Sequence, residues 1–233
     1  MTGESSQLER VIAAIEASNS AAVMKVSTAA PAAARLDLSL ANPVVAATDF
    51  NSAQAMTTLV EALLEQAGAT VGIGGYGEKR GWYARGEQFS AGAEVRSVHL
   101  GVDIWAPAGA PVCAPYDAVV HSAQDNDLLG DYGPTVILAH SLEGETFFTL
   151  YGHLSRESLL GKEPGARISR GEEIGTLGSP AVNGQWPSHL HFQIILDMLG
   201  KVGDFPGVST ETERERFLAL CPDPNLILRS PLL

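Results

Sequence analysis

Apolar residues recur at positions 8, 11, 12 and 15 of SQLERVIAAIEA (6–17), the spacing of an amphipathic helix. A second run, at 56, 59, 60, 63 and 64, predicts a helix from Ser52 to Gly68, with Asn51 or Ser52 as its cap and Gly68 as its stop. Between them, to about Ala34, lies an Ala- and Ser-rich stretch with one proline, which reads as a linker or loop. From Val71 the texture changes to short apolar runs broken by Gly and Pro: VHLGVDIWA, APVCAPYDAVVHSA, PTVILAH, TFFTLYGHL, EEIGTLG and HLHFQIIL. This punctuation predicts an antiparallel β body of roughly 130 residues. Two segments, AGAPVCAPYDAVV and PGARISRGEEIGTL, echo each other as turn, strand, turn, strand. After Gly207, STETERERFLALC reads as a short helix and PDPNLIL as a proline-punctuated tail. The expected layout is a helical N-terminal region with linker (1–70), a β domain (71–207) and a C-terminal helix and tail (208–233). The fold class is mainly β, and α+β for the whole chain.

Composition narrows the function classes. The 24 glycines and 13 prolines suit a turn-rich β body, and 45% hydrophobic residues suffice for a core. A formal net charge of −12 argues against nucleic acid or an anionic membrane as partner. Cys113 and Cys221 are too few and too far apart for a disulfide framework or a cysteine zinc site. The first thirty residues lack a basic region followed by an apolar run, and no stretch approaches the ~20 apolar residues of a membrane span. As written, the chain is expected in the cytoplasm, and outside it or in the periplasm if a leader precedes Met1.

The chemistry concentrates in three segments. In SHLHFQI, alternation on a strand puts His189, His191 and Gln193 on one face and Leu190, Phe192 and Ile194 on the other. In HLGVD, His99, Gly101 and Asp103 share a face opposite Val102 and Ile104, and Gly101 would leave room for an ion. LYGHLS adds His153 at the end of an apolar strand. A catalytic zinc site needs three protein ligands and an open position. Five candidates are enough for three ligands and two groups that move protons.

In this order, HLGVD, LYGHLS and HLHFQ resemble the signatures of the lysostaphin- or LytM-type zinc metallopeptidases, the glycyl-glycine endopeptidases. The clear resemblance runs from about Val98 to Ile195, with GGYGEKRGWY upstream as a looser extension. It implies Zn2+ held by His99, Asp103 and His191. His189 and His153 would be the catalytic histidines, His189 as base and His153 as oxyanion partner. It implies a narrow groove over an antiparallel sheet with duplicated-hybrid-motif-like hairpins, walled by segments around Trp105, 128–132 and 183–187. The family pattern most often has Glu where Gln193 stands, and SPAVNGQWPS replaces its Gly/Ser/Thr-rich loop, so Trp186 is expected to reshape the groove.

The function this implies is zinc-dependent endopeptidase cleavage of small-residue peptides, of the peptidoglycan type or otherwise. A cytoplasmic hydrolase of small peptides or amides is a variant of it. The rival is a zinc-bearing, non-proteolytic binding or regulatory module, fused to or associated with other domains of a larger cytoplasmic protein. His121 and His140 are expected to be structural, Asp117 a turn residue, and Asp125, Asp127 and Asp131 a solvated loop without the later Glu of a calcium site. Tyr151 is open between core packing and substrate contact.

Overall fold

The computed structural model describes residues 6–85, 90–91 and 94–233. Helix α1 (Gln7–Ala17) starts where Ser6 and Glu9 form a capping box, and it buries Val11, Ala14 and Ile15. The segment after it is irregular, as expected, yet Val23 and Met24 are buried in the main core. The Val23 carbonyl accepts from Cys113 N at 2.7 Å. A short strand β1 (Ala33–Arg35) and a one-turn helix α2 (Pro43–Ala46) follow. Helix α3 (Ala53–Ala67) is capped by Ser52 and stopped by left-handed Gly68, as its sequence predicts.

Strand β2 (Val71–Gly74) runs parallel to β1. Then come β3 (Ser90–Ala91), β4 (Glu94–Val95), β5 (Val98–His99), β6 (Val102–Trp105) and β7 (Pro111–Cys113). Long antiparallel strands β8 (Ala118–Asn126), β9 (Gly133–Leu142) and β10 (Glu145–Gly152) form a meander. The chain continues through β11 (Arg167–Ile168), β12 (Glu173–Thr176), β13 (His189–Ile195) and β14 (Val208–Ser209). It ends in α4 (Arg214–Leu220) and α5 (Asn225–Leu228). The short helix falls inside STETERERFLALC, and the expected tail holds a further helical turn that buries Ile227.

The main sheet has the order β1-β2-β6-β13-β10-β9-β8-β11 and is antiparallel except for the β1–β2 pair. The two echoing hairpins pair with one another: β7 with β12, and β8 with β11. Each hairpin therefore supplies the partner strands of the other. Inward residues of β6, β9, β10 and β13 join α1 in the main core. A second cluster sets Leu38, Met56 and Leu59 of the N-terminal region against Trp82, Trp105 and Trp186. That cluster supports the functional site from the side.

His140 and His121 take structural places. The buried His140 donates from Nδ1 to the Asp117 carbonyl (3.1 Å) and meets the Thr149 hydroxyl at 2.7 Å. His121 Nδ1 lies 2.9 Å from Ser122 Oγ. Tyr151 is wholly buried and its hydroxyl accepts from Thr149, so it is a core residue. Asp117 accepts from the Arg170 amide at 2.7 Å, a turn role. Burial pushes His140 down to about 4 from an ordinary 6.5. The unfolded chain therefore binds the extra proton first, and stability falls as pH drops from 6.5 towards 4. The full difference is worth up to roughly 3 kcal/mol. Urea unfolding at pH 7 and pH 4.5 should show a smaller loss in His140→Gln than in wild type; equal losses would refute it.

Candidate metal and catalytic site

Strand β13 is buried along its whole length, so its polar face needs partners. Its antiparallel register with β6 sets His191 opposite Asp103 and His189 opposite Trp105. Strand β10 ends opposite His191 at Gly152, which delivers His153 to the same place. His153 itself has a left-handed backbone (φ 65°), a conformation that L residues adopt only when held there.

His99 arrives differently from the sequence expectation. The chain breaks between β5 and β6, so His99, Gly101 and Asp103 do not lie on one continuous strand. Leu100 N instead donates to the Gly207 carbonyl, and Val98–His99 pairs with β14. Nor is the space beside Gly101 kept for an ion. A Cβ there would meet His191 Cε1 at 2.6 Å, so the imidazole ring itself fills it.

Four histidines are fixed by what their outer nitrogens face. His99 Nδ1 lies 3.2 Å from the Gly75 carbonyl, and His189 Nδ1 lies 2.6 Å from the Pro187 carbonyl. His153 Nδ1 faces the Asn183 carbonyl at 3.0 Å, and His191 Nε2 faces Gln193 Oε1 at 2.9 Å. Carbonyl oxygens only accept, so each of these nitrogens carries the hydrogen. The Gln193 amide is oriented by its own donations to the Pro206 carbonyl (3.1 Å) and Cys221 Sγ (3.3 Å). Gln193 thus orients His191 through its carbonyl, the task open to a carboxylate at that position.

The other nitrogen of each neutral ring is then a bare lone pair. His99 Nε2 and His191 Nδ1 lie 3.0 Å apart, and both approach Asp103 Oδ1, at 3.3 and 3.2 Å. Three acceptors facing one another with no hydrogen between them repel unless a cation joins them. Tetrahedral zinc at ~2.1 Å from N and O ligands would space those ligands about 3.4 Å apart. The trio fits that spacing and chemistry, and it is the set among the described residues whose ligand atoms converge within 4.8 Å.

Burial favours the neutral form of three of these rings. Burial pushes His99 down to about 3, and the Arg80 guanidinium adds to the effect. Burial holds His153 well below its ordinary value, with His189 and His191 adding to it. Burial also lowers His189, against the pull of Asp103. For Asp103 burial opposes ionisation, but the permanently charged Arg80 guanidinium at its Oδ2 outweighs it and holds the carboxyl well below the usual range.

His153 and His189 stand beside the trio, ring to ring at 4.2 Å. His189 Nε2 is 3.8 Å from Asp103 Oδ1, and its ring stacks on Trp105 at 5.7 Å. A pocket of about 300 Å³ opens over His99, Asp103, His153 and His191; His189 does not reach its lining. Trp82, Tyr83 and Trp186 line it too, with Trp186 6.1 Å from Trp82 and 6.3 Å from His153. Lys201 and residues 204–208 also contribute lining, so the segment after β13 helps wall the site.

The five residues singled out by sequence therefore meet at one place. Two others, Arg80 and the Tyr132 that ends the expected wall segment 128–132, were not singled out by the sequence. Arg80 donates from Nη1 to Asp103 Oδ2 at 2.5 Å, and the Tyr132 hydroxyl lies 3.4 Å from His191 Nε2. Burial raises Tyr132 well above its ordinary value, so it stays protonated. The one sequence signal for Arg80 was its place in GGYGEKRGWY, which carries no ligand spacing.

Residues 97–201 match the family model described as Peptidase family M23. Over 104 residues the chain is 36% identical to Peptidoglycan DD-endopeptidase ShyC of Vibrio cholerae, covering 44% of this chain and 21% of that protein. The chain thus spans about one fifth of the length of that relative. Among solved structures, the catalytic domain of the antimicrobial peptidase lysostaphin from Staphylococcus simulans is 24% identical, with a TM-score of 0.37 over 52% of this chain and 80% of that one. A zinc containing peptidase from Vibrio cholerae is 26% identical, with a TM-score of 0.35 over 42% of this chain and 27% of that one.

Proposed function

We propose, for a chain whose residues 97–201 form a LytM-type M23 peptidase domain, that it is a zinc-dependent endopeptidase acting on small-residue peptides of the peptidoglycan type. The observation that carries this reading is the trio of inward lone pairs on His99, Asp103 and His191, set beside two further neutral histidines. His99, Asp103 and His191 would hold the zinc. When bound, it would supply Lewis acidity towards a peptide carbonyl and make water a better nucleophile.

The protein's own groups handle the protons. His189 Nε2 and His153 Nε2 are bare in the neutral rings, so either can take a proton from attacking water and pass it to the leaving amine. We assign His189 as the base, because its Nε2 lies 3.8 Å from Asp103 Oδ1 beside the trio, although its ring sits behind the pocket lining. His153 offers a lone pair inward, so it becomes a donor to an oxyanion only after gaining a proton. Tyr132 is a hydroxyl that remains protonated beside it, their rings 5.5 Å apart. The aromatic wall of Trp82, Tyr83 and Trp186 narrows the pocket and favours small side chains in the substrate.

ShyC is named for peptidoglycan, which motivates the substrate class here. Peptidoglycan lies outside the cytoplasm, so that substrate requires the chain to reach it; otherwise small soluble peptides are the target. Among the described residues no helix is long and apolar enough to cross a membrane.

The test is release of new amino groups from glycine- and alanine-rich peptides and from peptidoglycan. Wild type should release them, a chelator should stop the release, and added zinc should restore it. Hydrolysis no faster than that of His99→Ala would end the peptidase reading. Stoichiometric zinc without hydrolysis would favour the non-proteolytic module.

A further inference from the structure

The strongest unused feature is a buried ion cluster behind Asp103. Arg80 comes from the segment after β2, next to Lys79, which bridges to Val98, and lies outside the residues matched to the peptidase family. Its side chain is 1% exposed, and Nη1 reaches Asp103 Oδ2 while Nε donates to Glu78 Oε2 at 2.6 Å. Glu78 is anchored in turn, because its Oε1 accepts from Leu38 N at 3.2 Å. A Cβ on Gly75 would meet the Glu78 carboxyl carbon at 2.6 Å, so a glycine is what lets Glu78 fold back there. Gly75 also gives its carbonyl to His99 Nδ1. The faces of Trp82 and Trp105 lie 5.9 and 5.7 Å from the guanidinium carbon and limit its movement.

We propose that Arg80, anchored by Glu78, is the positioning residue of the metal site. It occupies one oxygen of Asp103 and thereby turns only the other towards His99 and His191. This rests on the metal reading of the trio. A planar guanidinium has the fork to hold two carboxylates in fixed directions, which an ammonium lacks. Two carboxylates on one guanidinium also leave a net charge of −1 in a buried place, and a bound cation offsets it. The anchor ties the segment after β1, at Leu38, to the proposed metal ligand Asp103 through two side chains.

Charge and position predict opposite signs. Arg80 puts a positive charge near a dication, so as a mere charge its removal would tighten metal binding. As a positioning residue, its removal should loosen binding by about 10- to 100-fold, the range typical of groups behind metal ligands. The experiment is zinc affinity by chelator competition on the full chain, for wild type, Arg80→Met, Arg80→Lys and Glu78→Gln. Each protein is also loaded with Co2+ for its visible absorption spectrum. The proposal expects weaker zinc binding in Arg80→Met, little recovery in Arg80→Lys and an altered cobalt spectrum in both.

A purely structural role would lower the urea stability of the metal-free protein and leave the affinity and spectrum of the folded fraction unchanged. That result overturns the proposal. So does equal or tighter binding in Arg80→Met. If Arg80→Met fails to fold, Glu78→Gln decides: it retains the Arg80–Asp103 contact but removes the anchoring charge, and unchanged affinity refutes the clamp. A wild type that binds no zinc overturns both this proposal and the metal reading, whereas zinc-bound wild type without peptidase activity leaves the clamp standing.

Discussion

His191→Ala protein, purified without added metal, should carry no zinc and hydrolyse no peptide, while wild type carries about one zinc per chain. The reason is geometric. His191 Nδ1 is the acceptor nearest both remaining members of the trio, 3.0 Å from His99 Nε2 and 3.2 Å from Asp103 Oδ1. Its other nitrogen is already committed to Gln193, so the ring has one orientation and its lone pair one direction. Without it, two ligands remain. Groups behind a ligand cost ~10- to 100-fold when removed, so loss of a ligand itself should exceed ~100-fold in affinity. Elemental analysis reads this directly. The Gln193 carbonyl would lose its donor in a buried place, a cost of about 1–3 kcal/mol. Far-ultraviolet circular dichroism therefore accompanies the metal assay, and a folded variant that keeps its zinc would remove His191 from the ligand set.

The second large effect separates metal from proton transfer. His153→Ala and His189→Ala should each keep zinc and lose activity by ~10²- to 10⁴-fold, mostly in kcat. Both rings are held by backbone carbonyls on their outer side, and neither belongs to the trio that converges on one point. Because both would act on the same proton pathway, the double variant should fall little below the worse single one. Steady-state kinetics with zinc content measured on the same samples decides. Zinc lost from His153→Ala would make that residue a ligand, and activity within tenfold of wild type would deny it a chemical role.

Much of the site was legible because β alternation is local. His189 and His191 show their common face within one seven-residue stretch, and the apolar face opposite them identifies itself, while Asp103 joins them only through the β6–β13 register. Helices α1 and α3 were legible for the same reason, with Ser6, Ser52 and Gly68 acting where their chemistry places them. What escaped is non-local. The break at Leu100–Gly101 exists because a distant imidazole fills the glycine's space and Gly207 supplies a carbonyl. Arg80 lies 23 residues from the aspartate it holds, and no periodicity connects them. Val23 and Met24 sit in a stretch whose composition reads as linker, yet Val23 is bonded to Cys113 in β7. The two echoing hairpins were visible as a repeat, but that each completes the other is a property of the sheet alone.

Strand β2 has a consequence for how copies of this chain meet. Without it, β6 would be the rim of the main sheet, and every residue of β6 is buried in the folded chain. A bare row of amide and carbonyl groups on Val-Asp-Ile-Trp would be a template for strands of other molecules. Parallel pairing of β1 on β2 moves the rim outwards to a three-residue strand that ends in the exposed Arg35. Short and charged, it is a poor surface for self-association. The segment ahead of the peptidase match thus keeps the sheet that carries His191 and Asp103 from growing sideways into aggregates.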